Sequence, residues 1–461
     1  MGESRLRKGI LQILSANILN LIFGVGTALI LPKFLPVESY SQIKTYQLYI
    51  SYTAIFHLGY NDGMILKYGG RRIETMNLRE LQEDLSTVRI FQVVMTLLCM
   101  LTGFFLKDTA LFLAACTILP INMITYFKNL YQAVGKFEKY SNILNWTTIL
   151  TFLINILLVG IIRTDQFVFY LSGYVFLNAW IWIRLEVLFC KTLHLKFIGR
   201  KFSRVILKDN ISNGFLLLTA NLASILLTGI DRFFVKGFLS AADFAKYAFV
   251  ASMENLLNVV VTPVSISLYN HFCVNHEKED LENAQEMIIC FGAVVVTGAF
   301  AVRFILETIL QEYLDASKTL FLLFAAHLFM TIIKCLYVNL YKAKKQQKKY
   351  SEKLAIVLVM AVVLNGICFM VNPVKESFAV GTLLASVLWF LLCQYDFPEI
   401  RCSLRQYLFL ISEMTVFLFC GLRMNVILGG GIYLVFTYVM IGVCMPGVWK
   451  KILKFIKVDN L

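Results

Sequence analysis

Apolar residues run along the chain in continuous stretches of about 20 residues, the length that a membrane-crossing helix needs. Short polar segments separate them. Strands of a transmembrane barrel would alternate apolar and polar residues, so the pattern predicts an all-α polytopic membrane protein. We predict fourteen spans, at 10–31, 46–67, 89–106, 109–130, 142–162, 167–190, 212–236, 244–271, 286–306, 319–341, 354–372, 376–395, 406–422 and 426–446.

The positions of Lys and Arg give these spans an orientation, because basic residues stay on the cytoplasmic side of short loops. With the N-terminus inside, 30 of the 43 basic residues fall in predicted cytoplasmic segments and 11 in external ones. Basic residues near the end of a span are counted with the adjoining loop, and the last two, Arg184 and Lys334, lie deeper within spans. The alternation predicts that both termini are cytoplasmic.

Composition narrows the class further. Of the 461 residues, 58% are apolar and 16% charged, against about 25% charged in an ordinary soluble domain. A soluble or a disordered chain is therefore excluded. The net charge of +14 is spread over short segments, which argues against nucleic acid as a partner. Eleven cysteines are scattered without a C-x-x-C pair, so we expect no disulfide, metal or other cofactor.

Two blocks of the sequence recur in the same order, which predicts an internal repeat. At a shift of 204, Ser15-Ala16-Asn17 aligns with Thr219-Ala220-Asn221, and at a shift of 210, Leu130-Tyr131-x-Ala133 and Lys139-Tyr140-Ser141 align with Leu340-Tyr341-x-Ala343 and Lys349-Tyr350-Ser351. An even number of spans separates the copies, so the repeat is parallel. We predict two six-helix lobes, 1–210 and 211–396, followed by spans 13 and 14 with a basic cytoplasmic tail, 397–461.

Ionisable side chains inside the bilayer are costly unless they face the interior of the bundle or water. Lys334 shares a helix face with His327, and Arg184 shares one with Trp180. These positions predict a cavity with cations in its inner half. The alternatives are that Lys334 extends to the interface, that Arg184 does so and pairs with Glu186, and that the histidine only packs.

The remaining candidates lie in spans 1, 2, 7 and 8. They are Asn17, Asn20, His57, Asp62, Asn221, Asp231, Arg232 and Glu254. The asparagines form helix-face stripes that either contact substrate or join helices. Asp62 either couples an ion or bonds to a neighbouring helix, and His57 either contacts substrate or packs. Asp231 and Arg232 are either a gating element or one interfacial ion pair.

Two motifs resemble a known family. Ile230-Asp231-Arg232-Phe233-Phe234-Val235, followed by Leu239-Ser240 and Tyr247, resembles the seventh-helix signature of Wzx-type polysaccharide flippases, and Leu130 to Lys136 with Lys139-Tyr140-Ser141 is similar to the pattern after their fourth helix. These flippases belong to the multidrug/oligosaccharidyl-lipid/polysaccharide (MOP) exporter superfamily. The resemblance implies a MATE-like transporter of the bacterial cytoplasmic membrane and not an enzyme.

The resemblance also implies a substrate. Such flippases move undecaprenyl-diphosphate-linked oligosaccharides from the inner to the outer leaflet by alternating access, for O-antigen or capsule, alongside a polysaccharide polymerase and chain-length machinery. Lys334 and Arg184 would hold the diphosphate, with His57, His327, Asn17, Asn20, Asn221 and Trp180 as further substrate contacts. Asp62, Asp231, Arg232 and Glu254 would serve ion coupling or gating. Some relatives place Arg within helix 1, where this chain has only Asn17 and Asn20.

Three other functions compete with this interpretation. A cation-coupled drug exporter of the same superfamily would need an acidic cavity, so the balance of Lys334 and Arg184 against Asp62 and Glu254 favours an anionic substrate. A membrane polysaccharide polymerase or ligase needs sizeable external loops, and the predicted external loops are short. An ATP-driven pump needs G-x-x-x-x-G-K-[ST], and Leu130 occupies the first glycine position before Gly135-Lys136.

Overall fold

A computed structural model describes residues 19, 21–71, 73, 76–195, 202–227, 229–274 and 278–449. The described residues form helices joined by short turns, with no strand among them. Contacts divide the chain into two compact units, Met1–Leu226 and Leu227–Leu461, called unit 1 and unit 2 below. The predicted lobe boundary at residues 210 and 211 lies inside a helix of unit 1.

Unit 1 contains nine described helices. They are α1 Leu21–Phe34, α2 Val37–Ile50, α3 Tyr60–Tyr68, α4 Leu78–Phe105, α5 Thr109–Cys116, α6 Ile118–Ala133, α7 Phe137–Ile156, α8 Phe167–Thr192 and α9 Arg204–Leu227. A 3₁₀ turn, Thr53–His57, precedes α3, and a π turn, Leu157–Ile162, extends α7.

Unit 2 contains eleven described helices. They are α10 Ile230–Phe238, α11 Ala241–Leu256, α12 Asn258–Val274, α13 Lys278–Val295, α14 Gly298–Thr308, α15 Ser317–Ile332, α16 Val338–Ala343, α17 Gln347–Val371, α18 Lys375–Asp396, α19 Leu404–Arg423 and α20 Val426–Cys444. A π turn, Ile333–Tyr337, joins α15 to α16 into one long helical stretch.

Twelve helical stretches of the described chain are long and apolar enough to cross a membrane, and they coincide with predicted spans 3 to 14. The protein is therefore a multi-pass membrane protein. Residues 10–18 and 20 of predicted span 1 lie outside the described residues, so the count of fourteen stays a prediction.

The prediction of one continuous helix over 46–67 is wrong. The segment consists of the end of α2, the 3₁₀ turn and α3. Leu58 and Gly59 adopt left-handed backbone angles, with φ of 47° and 88°, which interrupt an α-helix.

The predicted repeat has a counterpart in the backbone. The helices α6 and α16 both end in a Schellman turn, in which Lys136 N–H donates to Tyr131 C=O and Gln346 N–H donates to Tyr341 C=O, each at 2.8 Å. The left-handed residue is Gly135 in the first turn and Lys345 in the second. These positions differ by the shift of 210 that the sequence repeat has.

Glycines set how closely α9 packs on α3 within unit 1. A Cβ at Gly63 would lie 2.0 Å from the Asn210 carbonyl oxygen, and one at Gly214 would lie 2.0 Å from the Gly59 carbonyl oxygen. Only glycine permits backbones to approach this closely. The first part of predicted span 7 therefore packs against predicted span 2.

Candidate functional site

A narrow cleft in unit 2 brings together several of the predicted residues. Its free volume is about 20 Å³, enough for little more than one water molecule. The helices α10, α11, α12, α15 and α18 and the π turn supply its lining. The lining residues are Asp231, Ala251, Glu254, Asn255, Asn258, Leu323, Ala326, Met330, Lys334 and Thr382.

Lys334 supplies the cation of this cleft. It lies in the π turn between α15 and α16, where Ser265 Oγ donates to its backbone carbonyl at 3.1 Å. Its Nζ donates to Asn258 Oδ1 at 2.7 Å. Within the described part of the chain, no carboxylate oxygen lies within 4.0 Å of this nitrogen. The ammonium group therefore faces the interior of unit 2 instead of extending to the interface, and π turns of this kind are frequent at functional sites.

His327 lies beside the cleft and joins two helices. Its Nδ1 is 2.6 Å from Glu254 Oε1, so the pair ties α15 to α11. The ring is 1% exposed, which gives it no surface toward the cleft. Glu254 itself lines the cleft, as does Asn258. The geometry thus favours packing and pairing for His327, while Glu254 remains accessible to an ion.

Asp231 is buried and bonded on two sides. Its Oδ2 accepts from Tyr247 Oη at 2.6 Å and from Thr382 Oγ1 at 3.3 Å. The backbone N–H of Arg232 donates to its Oδ1 at 2.8 Å. At 5% exposure, Asp231 is a carboxylate of the interior of unit 2.

Arg184 of unit 1 lies between two indole rings. Its guanidinium carbon is 5.2 Å from the Trp180 ring centroid and 5.9 Å from that of Trp146, distances typical of cation–π contacts. A pocket of about 240 Å³, which we call the tryptophan pocket, surrounds the three side chains. Its lining residues are Tyr131, Lys139, Asn142, Ile143, Trp146, Trp180, Ile181, Arg184, Leu185, Leu188 and Thr192.

The alternative pairing of Arg184 with Glu186 is not found. Arg89 donates to Glu186 Oε1 at 2.6 Å, and Trp182 Nε1 donates to Glu186 Oε2 at 2.7 Å. Both oxygens of the carboxylate are therefore engaged elsewhere. Arg184 has no ion pair with any described residue.

The candidates in span 2 form a contact to α9. His57 Nδ1 accepts from the backbone N–H of Gly59 at 3.1 Å, so this nitrogen carries no proton. Its 4.0 Å separation from Asp62 Oδ2 is consequently not an ion pair. Asn221 Nδ2 donates to Asp62 Oδ1 at 3.4 Å. Asn221 and Asp62 thus join α9 to α3. The other two predicted asparagines, Asn17 and Asn20, lie outside the described residues.

Two charged residues of unit 1, Asp84 and Lys128, were not predicted from the sequence. Asp84 is fully buried and accepts hydrogen bonds from Tyr60, Tyr68 at 2.8 Å and Asn210 at 3.2 Å. It was missed because it precedes the predicted start of span 3, whereas α4 begins eleven residues earlier, at Leu78. Lys128 was counted with the cytoplasmic loop after span 4, but it lies within α6 and lines a second pocket of about 330 Å³.

Among the described residues, no group of three or more His, Cys, Asp or Glu side chains is placed to hold a metal ion. Apart from the carboxylates of Asp231 and Glu254 in the unit 2 cleft, the polar groups that line the candidate sites are cations, amides and hydroxyls. Groups of this kind bind anionic or hydroxylated ligands directly.

Comparison with known proteins identifies the fold. The sequence matches no protein-family model and no curated protein. The structure is similar to that of lipid II flippase MurJ in an inward closed conformation, with a TM-score of 0.71 and 13% sequence identity, over 96% of this chain and 99% of that one.

Two structures of a multidrug resistance MATE family transporter of the MOP superfamily are also similar. The inward-facing one has a TM-score of 0.56 and 14% identity, over 82% of this chain and 95% of that one. The outward-facing one has a TM-score of 0.54 and 12% identity, over 85% and 96%. The chain thus has the MurJ/MATE fold, and these neighbours are transporters and flippases, not enzymes.

Proposed function

We propose that this protein moves an undecaprenyl-diphosphate-linked oligosaccharide from the inner to the outer leaflet of the bacterial cytoplasmic membrane by alternating access. The observation that carries the proposal is Lys334, a cation in an interior cleft at membrane depth whose described partner is an amide and not a carboxylate. A membrane protein maintains such a charge at considerable cost. A diphosphate would compensate it with charge-assisted hydrogen bonds.

Arg184 would be a second contact. Its charge is uncompensated within the described residues, and the indole faces of Trp146 and Trp180 offer apolar surfaces for sugar rings. The similarity to a protein named as a lipid II flippase supports a lipid-linked substrate. The product would be O-antigen, capsule or another surface glycan, and a polysaccharide polymerase with its chain-length machinery would act next.

The membrane potential would favour this direction of transport. With the inside negative, outward movement of two anionic charges is favoured by about 4–5 kcal/mol at 100 mV. No ATP is needed for a step of this size. Transport should therefore accelerate when an inside-negative potential is imposed.

The test is a flipping assay in liposomes with a polyprenyl-diphosphate oligosaccharide, read by a probe that reaches only the outer sugar. We expect Lys334→Ala to slow transfer at least about tenfold, the loss that follows removal of a charge-assisted hydrogen bond. Lys342→Ala is the matched control, because Lys342 is an exposed lysine on α16, just beyond the same π turn. Equal rates in the wild type, Lys334→Ala and protein-free liposomes would contradict the proposal.

A cation-coupled drug exporter is the second candidate. The carboxylates of Asp231 and Glu254 line the same cleft as Lys334, and two similar structures are multidrug resistance MATE transporters. This candidate predicts proton- or sodium-dependent efflux of a cationic dye, lost in Glu254→Gln. Dye efflux without oligosaccharide transfer would favour it over the flippase.

A further inference from the structure

The second pocket of unit 1, which we call the threonine groove, is not used by the proposed function above. It lies among α2, α6, α7 and α8 and holds about 330 Å³. Its lining residues are Tyr46, Gln47, Ile50, Ile121, Ile124, Thr125, Lys128, Ile143, Leu144, Thr147, Thr148, Thr151, Tyr174 and Asn178. Lys128 is the one charged residue in this lining, and the lining contains no carboxylate among the described residues.

Lys128 is partly buried and lines this groove. Within the part of the chain that the structure describes, its Nζ has neither an ion pair nor a hydrogen-bond partner. A charged side chain within a membrane-spanning helix is costly unless it faces the interior of the bundle, water or a partner. Lys128 makes no described contact that stabilises the fold, so its charge is available to an anionic ligand in the groove.

Three polar side chains of the groove donate hydrogen bonds to backbone carbonyls of their own helices. Thr147 Oγ1 donates to the Ile143 carbonyl at 2.8 Å, and Thr151 Oγ1 donates to the Thr147 carbonyl at 2.7 Å. Asn178 Nδ2 donates to the Tyr174 carbonyl at 2.8 Å. The oxygens of these three side chains keep lone pairs for incoming donors. The groove therefore offers one cation beside several acceptors.

A phosphate joined to a sugar carries the complementary groups, an anion beside several hydroxyl donors. The tryptophan pocket with Arg184 adjoins the groove, since Ile143 lines both. A ligand that spans the two would meet a second cation and two indole faces. A bulk phospholipid would offer the phosphate but few hydroxyl donors.

We propose that Lys128 is the phosphate-binding residue of a glycosyl-phosphate subsite in the threonine groove, with Thr147, Thr151 and Asn178 accepting hydrogen bonds from the sugar. The inference rests on the proposed function for the identity of the substrate as a lipid-linked sugar diphosphate. It adds to Arg184 a second anion-binding residue in unit 1, distinct from the cleft of Lys334.

Direct binding to the full-length protein in detergent tests this subsite. The probes are a farnesyl-diphosphate-linked disaccharide, farnesol as the uncharged control, and phosphatidylglycerol as the phospholipid. We expect Lys128→Gln to weaken binding of the disaccharide probe by about tenfold or more, and Lys128→Arg to keep it within about threefold. Lys191→Gln is the matched control, because Lys191 is an exposed lysine of unit 1 outside both pockets.

Thermal unfolding without ligand separates a binding role from a structural one. A cation without a partner is not needed for stability, so Lys128→Gln should unfold at the same temperature as the wild type, or higher. Unchanged probe binding in Lys128→Gln would overturn the subsite, and so would a large loss of stability that Lys128→Arg restores.

The outcomes also distinguish this inference from the proposed function. Lys128-dependent binding of phosphatidylglycerol in preference to the disaccharide probe would overturn the glycosyl part of the inference and place a phospholipid in the groove. Loss of flipping in Lys334→Ala together with unchanged binding and flipping in Lys128→Gln would leave the flippase standing and reject the subsite.

Discussion

The two units hold their charged residues in different ways. In unit 1 the carboxylates of Asp84 and Glu186 are fully buried and bonded, while Lys128 and Arg184 line pockets without acidic residues among those described. In unit 2, carboxylates and a cation share one cleft. Under the proposed function, both units would supply a cation to the anionic substrate, and in unit 2 carboxylates would also lie beside that cation.

This difference arises on a similar backbone. The Schellman turns after α6 and α16 have the same hydrogen bonds, and each lies 210 residues from the other. The same turn geometry thus occurs in both units, with different side chains around it. The contrast between the units predicts that the buried acids of unit 1 stabilise the fold, whereas those of the unit 2 cleft serve function.

Asp84→Ala should have the largest effect on stability. The substitution leaves the hydroxyls of Tyr60 and Tyr68 and the amide of Asn210 without their buried acceptor. We expect a loss of about 3–5 kcal/mol in the free energy of unfolding, measured by SDS titration in mixed micelles. Glu80→Ala removes a partly exposed partner of Lys67 and should cost about 1 kcal/mol or less. Similar losses in the two variants would show that Asp84 is not structural.

Gly214→Ala should disrupt the packing of α9 on α3. Its Cβ would lie 2.0 Å from the Gly59 carbonyl oxygen, and backbone atoms cannot move aside as a flexible side chain can. We expect a loss of about 3 kcal/mol, the upper end of the usual range for overpacking. Gly366→Ala in unit 2 is the control, since no atom lies within 4 Å of its Cβ position and alanine favours a helix. A neutral Gly214→Ala would mean that α9 leaves α3 easily.

The sequence predicted most of the helices because each must be apolar over about 20 residues to cross the bilayer. Span 2 was the exception. Its break at Leu58 and Gly59 depends on a 3₁₀ turn and left-handed angles, which hydropathy does not report. The packing of α9 on α3 could not be predicted from the sequence either, because glycine contacts between distant segments leave no periodic signal.

The candidate site was predicted less completely than the fold. Lys334, Glu254 and Asp231 line one cleft because three helical segments converge there. Helix-face spacing had grouped Lys334 with His327, and it left Asp231 as either a gating residue or half of an interfacial pair. Lys128 was missed since it lies near the end of its span, where a lysine ordinarily serves topology. One signal could have indicated this groove. Thr147 and Thr151 are four residues apart, which places both hydroxyls on one face of a helix.

Glu254→Gln tests the functional acids of unit 2. The amide keeps a hydrogen bond to His327 but loses the charge, so we expect a stability loss of only about 1–2 kcal/mol. Removal of a negative charge from the cleft of Lys334 should also tighten binding of the disaccharide diphosphate probe. Glu279→Gln, at an exposed position of α13, is the control. Weaker anion binding in Glu254→Gln would mean that this carboxylate orients Lys334 instead of opposing the ligand.

Substitutions in the Schellman turns after α6 and α16 should have the smallest effects on stability, and they test the predicted repeat most directly. Gly135 has φ of 71° with open space around its Cβ position, so Gly135→Ala should cost about 1 kcal/mol through backbone strain alone. Lys345 has φ of 56°, so Lys345→Gly should stabilise unit 2 by a similar amount. Because the hydrogen bonds of the two turns are equivalent, the two changes in unfolding free energy should have opposite signs. Equal signs would show that the turns share a geometry but not an energetic role.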